Sequence, residues 1–314
     1  MLNEEKIHIW GSSKRYNTFS VYQRKLYGER VQKVTVDAGF TCPNRDGKIA
    51  EGGCIYCNNR SFNPGYNEAG KSITQQLAEG IEFLNRRYKT KKYIVYFQPF
   101  TNTYAPLDTL KKLYEEALSH PQVIGLTIGT RPDCIDEAKI SCLEQLAEHA
   151  DITIEYGLES ISDMTLKKIN RGHDVQSYLD ALELTAGRGI KICTHVIFGF
   201  PWEDKSQWLE TADWLSGKPF EFLKIHQLHV VKGTKLAQMY EEEPFQLMDS
   251  REYIDLIVKF LERLNPEIVI QRLFGEAPPK VLLAPHWGMR VSQLLQILDR
   301  RLEEEDSWQG KFYR

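Results

Sequence analysis

Six times between residues 32 and 234, a short apolar run rich in β-branched side chains is followed by a stretch with helical spacing or a loop leading into one. That alternation constrains the chain more than any other feature. It is the pattern of βα units, in which the strands pair in parallel and the intervening helices cover the sheet. The strand-like runs fall at 32–37, 93–98, 123–129, 151–157, 190–199 and 222–229. Helical runs are expected at 72–88, with Ile73, Leu77, Ile81 and Leu84 on one face, at 108–119, and at 136–148 with Ile140, Leu143 and Leu146 inward. A helical region broken around 171–174 and a helix carrying Trp208, Leu209, Ala212 and Leu215 complete the series. The expected fold is α/β, a partial (β/α)6 TIM-type barrel. A C-terminal extension adds a helix at 249–264, a short strand at 267–273, a proline-rich segment at 274–288 read as a lid, and a final helix at 288–304. The corresponding division is a basic and aromatic N-terminal arm (1–31), the barrel (32–235), and the extension with its substrate lid (236–314).

In such folds the loops at the carboxyl ends of the strands build the active site. Arg131, Asp133, Glu159, Arg171 and His229 fall at or just beyond strand ends, as do several glycines. The loop after the first strand is the most distinctive. Cys42, Cys54 and Cys57, three of six cysteines, lie in it with the spacing C-x11-C-x2-C. Thiolates are soft ligands for zinc, copper(I) or iron-sulfur clusters, and closely spaced cysteines without secretory features indicate metal chemistry more than disulfides. Three ligands leave a fourth position to another part of the chain, to solvent or to a bound small molecule. A structural zinc site is the competing reading, but zinc ribbons use two Cys-x2-Cys pairs and only one is present. Cys134, Cys142 and Cys193 show no second cluster spacing, which argues against sulfur insertion that consumes an auxiliary cluster.

Composition narrows the partners only slightly. The formal net charge of −3 on 314 residues argues neither for nor against nucleic acid. Locally, Lys14, Arg15, Arg24, Lys25, Arg30 and Lys33 stand against Glu29 alone, interleaved with Tyr16, Phe19, Tyr22 and Tyr27. Such a mixture grips phosphates and stacks bases; the plainer reading is a solvated arm whose aromatic rings pack on the barrel. No apolar run reaches membrane-spanning length and the first residues lack a signal-peptide pattern, so no membrane partner and a cytoplasmic location are expected.

Cys42, Cys54 and Cys57, with Tyr56 before the last, resemble the cluster motif of the radical S-adenosylmethionine superfamily. Most members space it C-x3-C-x2-C. The gap of eleven is similar to that of branches resembling the elongator acetyltransferase catalytic subunit and the YhcC/YtqA proteins, and the resemblance to the latter runs from about 17 to 287. It implies a radical enzyme whose three cysteines hold a 4Fe-4S cluster, with the fourth iron chelated by S-adenosylmethionine. An open metal position is the general mark of a catalytic site. The resemblance also implies cofactor-binding residues. Gln98 and Asn102 stand where the superfamily has a glycine-rich turn that is absent here. Glu159, helped by Ser160, is placed for the ribose hydroxyls. Arg171, in Asn-Arg-Gly-His-Asp with His173 behind it, is placed for the methionine carboxylate. Gly199 and Pro201 would border adenine. Glu155 is either a second ribose ligand or an interior acid paired with a base. His195 is read as a satisfied core histidine. His226 and His229 are read as pointing to opposite faces of one strand, with His229 and Lys232 nearest the mouth. The implied reaction is modification of tRNA at the carbon-5 side chain of the wobble uridine, such as carboxymethylaminomethyl- to aminomethyl-uridine, with a flavodoxin or ferredoxin as reductant. The alternative is a small-molecule step in cofactor or tetrapyrrole biosynthesis.

Overall fold

The computed structural model describes residues 7–58, 66–67 and 70–314, so the first six residues of the expected arm lie outside the described residues. Seven strands follow one another in a single sheet. They are β1 (Val31–Val36), β2 (Lys92–Phe97), β3 (Val123–Thr130), β4 (Asp151–Glu159), β5 (Lys191–Phe198), β6 (Phe222–Gln227) and β8 (Val269–Arg272). Neighbours β1/β2, β2/β3, β3/β4 and β6/β8 pair in parallel. The order is sequential, as in a partial (β/α) barrel. The run at 267–273 supplies the seventh strand, on the free side of β6.

Two compact units divide the chain, Glu29–His195 and Met1–Gly28 with Val196–Arg314. In the first, the strands are apolar runs because both faces are covered: every residue of β4 from Ile152 to Leu158 is buried. Helix α2 (Ile73–Asn85) begins at Ser72, whose side chain accepts from Gln75 N, and buries Ile73, Leu77 and Ile81. It lies so close to β1 that a Cβ on Gly80 would stand 2.6 Å from Val34 Cγ1. Helices α3 (Leu107–Leu118), α4 (Glu137–Ala147), α5 (Asp163–Lys168) and α6 (Val175–Thr185) follow, and Asp136, Ser162 and Asp174 cap the last three.

In the other unit, residues 19–27, expected only as arm, form helix α1 (Phe19–Tyr27) with Thr18 as its cap. Phe19 and Tyr22 set their rings edge-on to Phe222, with centroids 5.3 and 5.1 Å away. The preceding residues are docked: Asn17 O accepts from Ile270 N at 2.7 Å, Lys14 pairs with Asp299 and Arg15 with Asp306. Helices α7 (Lys205–Ser216) and α9 (Ser250–Arg263) both start with capping boxes, Asp204/Gln207 and Asp249/Glu252. Helix α10 (Val291–Glu304) packs on α9. Sequence periodicity gave no sign of helix α8 (Lys235–Glu242) or of the ribbon in which β7 (Val230–Val231) pairs antiparallel with β9 (Leu282–Ala284) inside the proline-rich segment. That segment is further held by Trp287, whose Nε1 donates to Met248 O at 3.0 Å and whose ring lies on Tyr253.

Candidate metal centre

Strand β1 delivers the chain into the cysteine loop through a fixed exit. Gln76, fully buried on α2, accepts from Asp37 N and donates to Asp37 O, both at 2.8 Å. The eleven residues between Cys42 and Cys54 then fold back on themselves. Cys42 O accepts from Arg45 N and Asp46 N, Pro43 O from Ile49 N, and Asn44 O from Gly53 N. Asp46 and Glu51 form an antiparallel bridge. The excursion closes, and Cys54 returns beside the start of the loop. Cys57 follows in a tight turn, its N–H donating to Cys54 O at 3.0 Å. All three thiols are free of disulfides.

The neighbours of the sulfurs come from the cysteine loop itself and from two other loops. Thr101 Oγ1 donates to Cys42 Sγ at 2.9 Å. Asn44 Nδ2 reaches Cys54 Sγ at 3.3 Å and also the carbonyl of Asn170 at 3.1 Å. Arg171 sits on a tight turn between two left-handed residues, Asn170 and Gly172. Its Nη1 approaches Cys54 Sγ at 3.6 Å, and its Nη2 donates to Gly157 O at 2.6 Å and pairs with Glu159 at 3.3 Å. Glu159 itself has φ 72°, strained backbone for a residue with a Cβ, at the end of β4. Gly157 makes the arrangement possible, because a Cβ there would run into Arg171 Nη2 and Glu159 Oε1. Arg131, 2% exposed, braces the turn by donating to Arg171 O at 2.5 Å while its fork is held by Asp133 at 2.9 and 2.7 Å.

Residues 42–215 match the Radical SAM superfamily and residues 220–304 the Radical_SAM C-terminal domain. The chain is 34% identical to YtqA of Bacillus subtilis over 314 residues, covering all of this chain and 98% of that protein. The chain belongs to the radical SAM superfamily. It is also 35% identical to YhcC of Escherichia coli K12, over 93% of each chain. More distantly, it is 26% identical over 204 residues to a tRNA uridine(34) acetyltransferase of Methanocaldococcus infernus, covering 63% of this chain and 36% of that protein. In fold it is similar to an N-terminally deleted Elp3 of the same archaeon, with TM-score 0.68, 20% identity and coverage of 89% of this chain and 64% of that one.

This radical SAM enzyme has residues that fit the cluster and cofactor its superfamily implies. Three unpaired thiols share one loop, and Arg171 Nε is a buried donor with no partner among the described residues. Burial pushes the Cys42 thiol up, against the Thr101 hydrogen bond and the Arg171 charge that pull it down. Cys57 is pushed up to about 12 by burial and by the neighbouring Cys54, with Arg45 opposing. Metal coordination deprotonates such thiols outright. Burial and then the Glu159 carboxyl hold the Tyr56 phenol protonated.

The other expected residues divide. Asn102 is a tie rather than an open group: its Nδ2 donates to the carbonyls of Phe97, Pro99 and Gly129 at 3.0, 3.0 and 2.9 Å, leaving only Oδ1 unpartnered among the described residues. Gln98 stands half-buried at the exit of β2. Ser160 Oγ accepts from Ser162 N at 3.1 Å, at the entry to α5. Gly199 and Pro201 belong to the other unit, where a Cβ on Gly199 would meet Met248 and Leu228 and Pro201 is exposed. His226 and His229 do not diverge as strand alternation suggests. Strand β6 ends at Gln227, so the pleat is broken between them, and both rings flank Gly275.

Glu155 resolves as a paired interior acid. Its side chain is wholly buried and accepts from Lys33 Nζ at 3.1 Å and Tyr96 OH at 2.6 Å, with His195 Nε2 at 3.1 Å. Cys193 lies in the same group. Lys33, Tyr96, Thr101 and Asn44 are participants that sequence reasoning did not assign, and Arg131 and Asp133, expected only as strand-end residues, form the brace. The only signal available for Lys33 and Glu155 was a charge in a strand expected to be covered on both faces.

Proposed function

We propose that this radical SAM enzyme modifies tRNA at the carbon-5 side chain of the wobble uridine, with Cys42, Cys54 and Cys57 as ligands of a 4Fe-4S cluster and Arg171 and Glu159 facing S-adenosylmethionine. When bound, the reduced cluster supplies an electron that splits S-adenosylmethionine and starts removal of a substrate hydrogen atom. The protein contributes placement and exclusion of water. The three thiols share one folded-back loop; Arg171 brings a buried cation to Cys54 and a separate unpartnered Nε–H among the described residues, and Glu159 offers a carboxylate suited to a pair of hydroxyl groups. The observation that supports the substrate is the similarity, over 204 residues, to a tRNA uridine(34) acetyltransferase. A reductant of flavodoxin or ferredoxin type completes the proposal.

The test compares tRNA nucleosides, by mass spectrometry, from cells with and without the gene. A wobble-uridine derivative should be lost and its precursor should accumulate. Unchanged wobble nucleosides would remove tRNA as substrate and redirect the search to a small molecule, for which metabolite-stimulated 5'-deoxyadenosine formation is the assay.

A further inference from the structure

Each thiol of the centre is accompanied by a polar group that is not itself a cysteine ligand. Thr101 serves Cys42, while Asn44 and Arg171 serve Cys54. Arg45, which donates to the Cys57 carbonyl at 3.3 Å, places its charge beside the Cys57 sulfur. Thr101, Asn44 and Arg171 are 0, 2 and 8% exposed. Coordination does not require such groups, since a thiolate binds iron without them. Burying them is costly unless they meet acceptors, and the acceptors they meet include the ligand sulfurs.

A donor aimed at a ligand sulfur stabilises negative charge there. One-electron reduction of an iron-sulfur centre increases that charge, and its potential follows net charge, hydrogen bonds to sulfur and exposure. We propose that Thr101, Asn44 and Arg171 set the reduction potential of the centre on Cys42, Cys54 and Cys57, raising it toward the range of a soluble one-electron carrier. The electron comes from that external carrier and is shared over iron and sulfur; no bond to the protein forms or breaks. The inference rests on the reading of the three cysteines as cluster ligands and deepens it, by assigning control of electron entry to residues other than the ligands. Arg171 has the largest effect, because it brings a full charge as well as a hydrogen bond. Thr101 gives the cleanest test, because valine reproduces its shape without the hydroxyl.

The experiment uses the full chain, reconstituted anaerobically, with iron and sulfide measured per chain and the midpoint potential followed by electron paramagnetic resonance in a reductive titration. Thr101→Val should retain its iron and become about tenfold harder to reduce, a shift of 59 mV for a one-electron couple. Thr101→Ser should return to the wild-type potential, and Arg171→Lys should shift less than Arg171→Met. A full cluster in Thr101→Val with an unchanged midpoint overturns the inference. Loss of iron in Thr101→Val that Thr101→Ser restores also overturns it, because the hydroxyl then holds the centre together and does not tune it. A wild-type chain that takes up no iron and sulfide defeats the cluster reading itself, and the metal analysis shows this before any potential is measured.

Discussion

Replacing Lys33 by methionine tests whether the interior acid is held as a charged pair. The substitution keeps the length of the side chain and removes the ammonium that stands 3.1 Å from Glu155 Oε1. Glu155 has no exposed side-chain surface, so water cannot take the place of the lost partner, whereas Lys33 is 22% exposed and already part-solvated. Removing one member of a buried pair costs about 3–5 kcal/mol. Tyr96 and His195 still bond the other carboxylate oxygen, so Lys33→Met should fall at the low end, near 3 kcal/mol. Adding Glu155→Gln removes the stranded charge, and the double variant should recover at least about 1 kcal/mol relative to strict additivity. Urea unfolding of the metal-free chain, followed by circular dichroism with the slope checked for constancy, measures both quantities. If Lys33→Met costs less than about 1 kcal/mol, or if the two substitutions simply add, Glu155 is not sustained by Lys33 and the pairing described here is wrong.

Three further outcomes are expected. Burial lowers His229 to about 4, so this histidine is neutral in the fold, and its contribution to stability is present above about 6.5 and lost as the pH falls from there to about 4. His229→Gln should flatten that part of the stability profile by at most on the order of 3 kcal/mol, and a profile parallel to wild type would contradict it. Gly157→Ala should force Arg171 and Glu159 off the end of β4, costing about 1–3 kcal/mol and reducing iron retained after gel filtration; wild-type stability and iron content would show that the contact is slack. Gln76→Leu should lose about 1–3 kcal/mol in thermal or urea unfolding, because the two hydrogen bonds between the buried Gln76 amide and Asp37 N and O are removed. No loss of stability would mean that solvent replaces the clamp.

Much of the fold was legible because parallel strands advertise themselves: β2, β3 and β4 are short runs largely buried on both faces, and their Ile, Leu, Val and aromatic residues stand out without reference to anything else. The cysteines were equally visible, since their spacing is local. What sequence could not show were contacts between residues far apart in the chain. Thr101 meets Cys42, Asn44 meets Asn170, and Lys33 meets Glu155, and nothing in the local pattern around any of them announces the partner. Short elements were lost for a different reason. Helix α8 spans eight residues and the β7/β9 ribbon fewer still on each side, too little for periodicity to register. The histidines at 226 and 229 misled because alternation was extended past the point where β6 stops.

The closed excursion between Cys42 and Cys54 separates the length of that segment from the position of its ends. The Pro43–Ile49 and Asn44–Gly53 hydrogen bonds and the Asp46–Glu51 bridge fasten the base of the loop. Residues beyond them can therefore be added or removed at the tip at small entropic cost, about 0.6 kcal/mol for each doubling of loop length. The first gap of the motif thus works as a spacer rather than a ruler. A search that fixes its length would pass over any chain that keeps the same fastened base and carries a tip of different length.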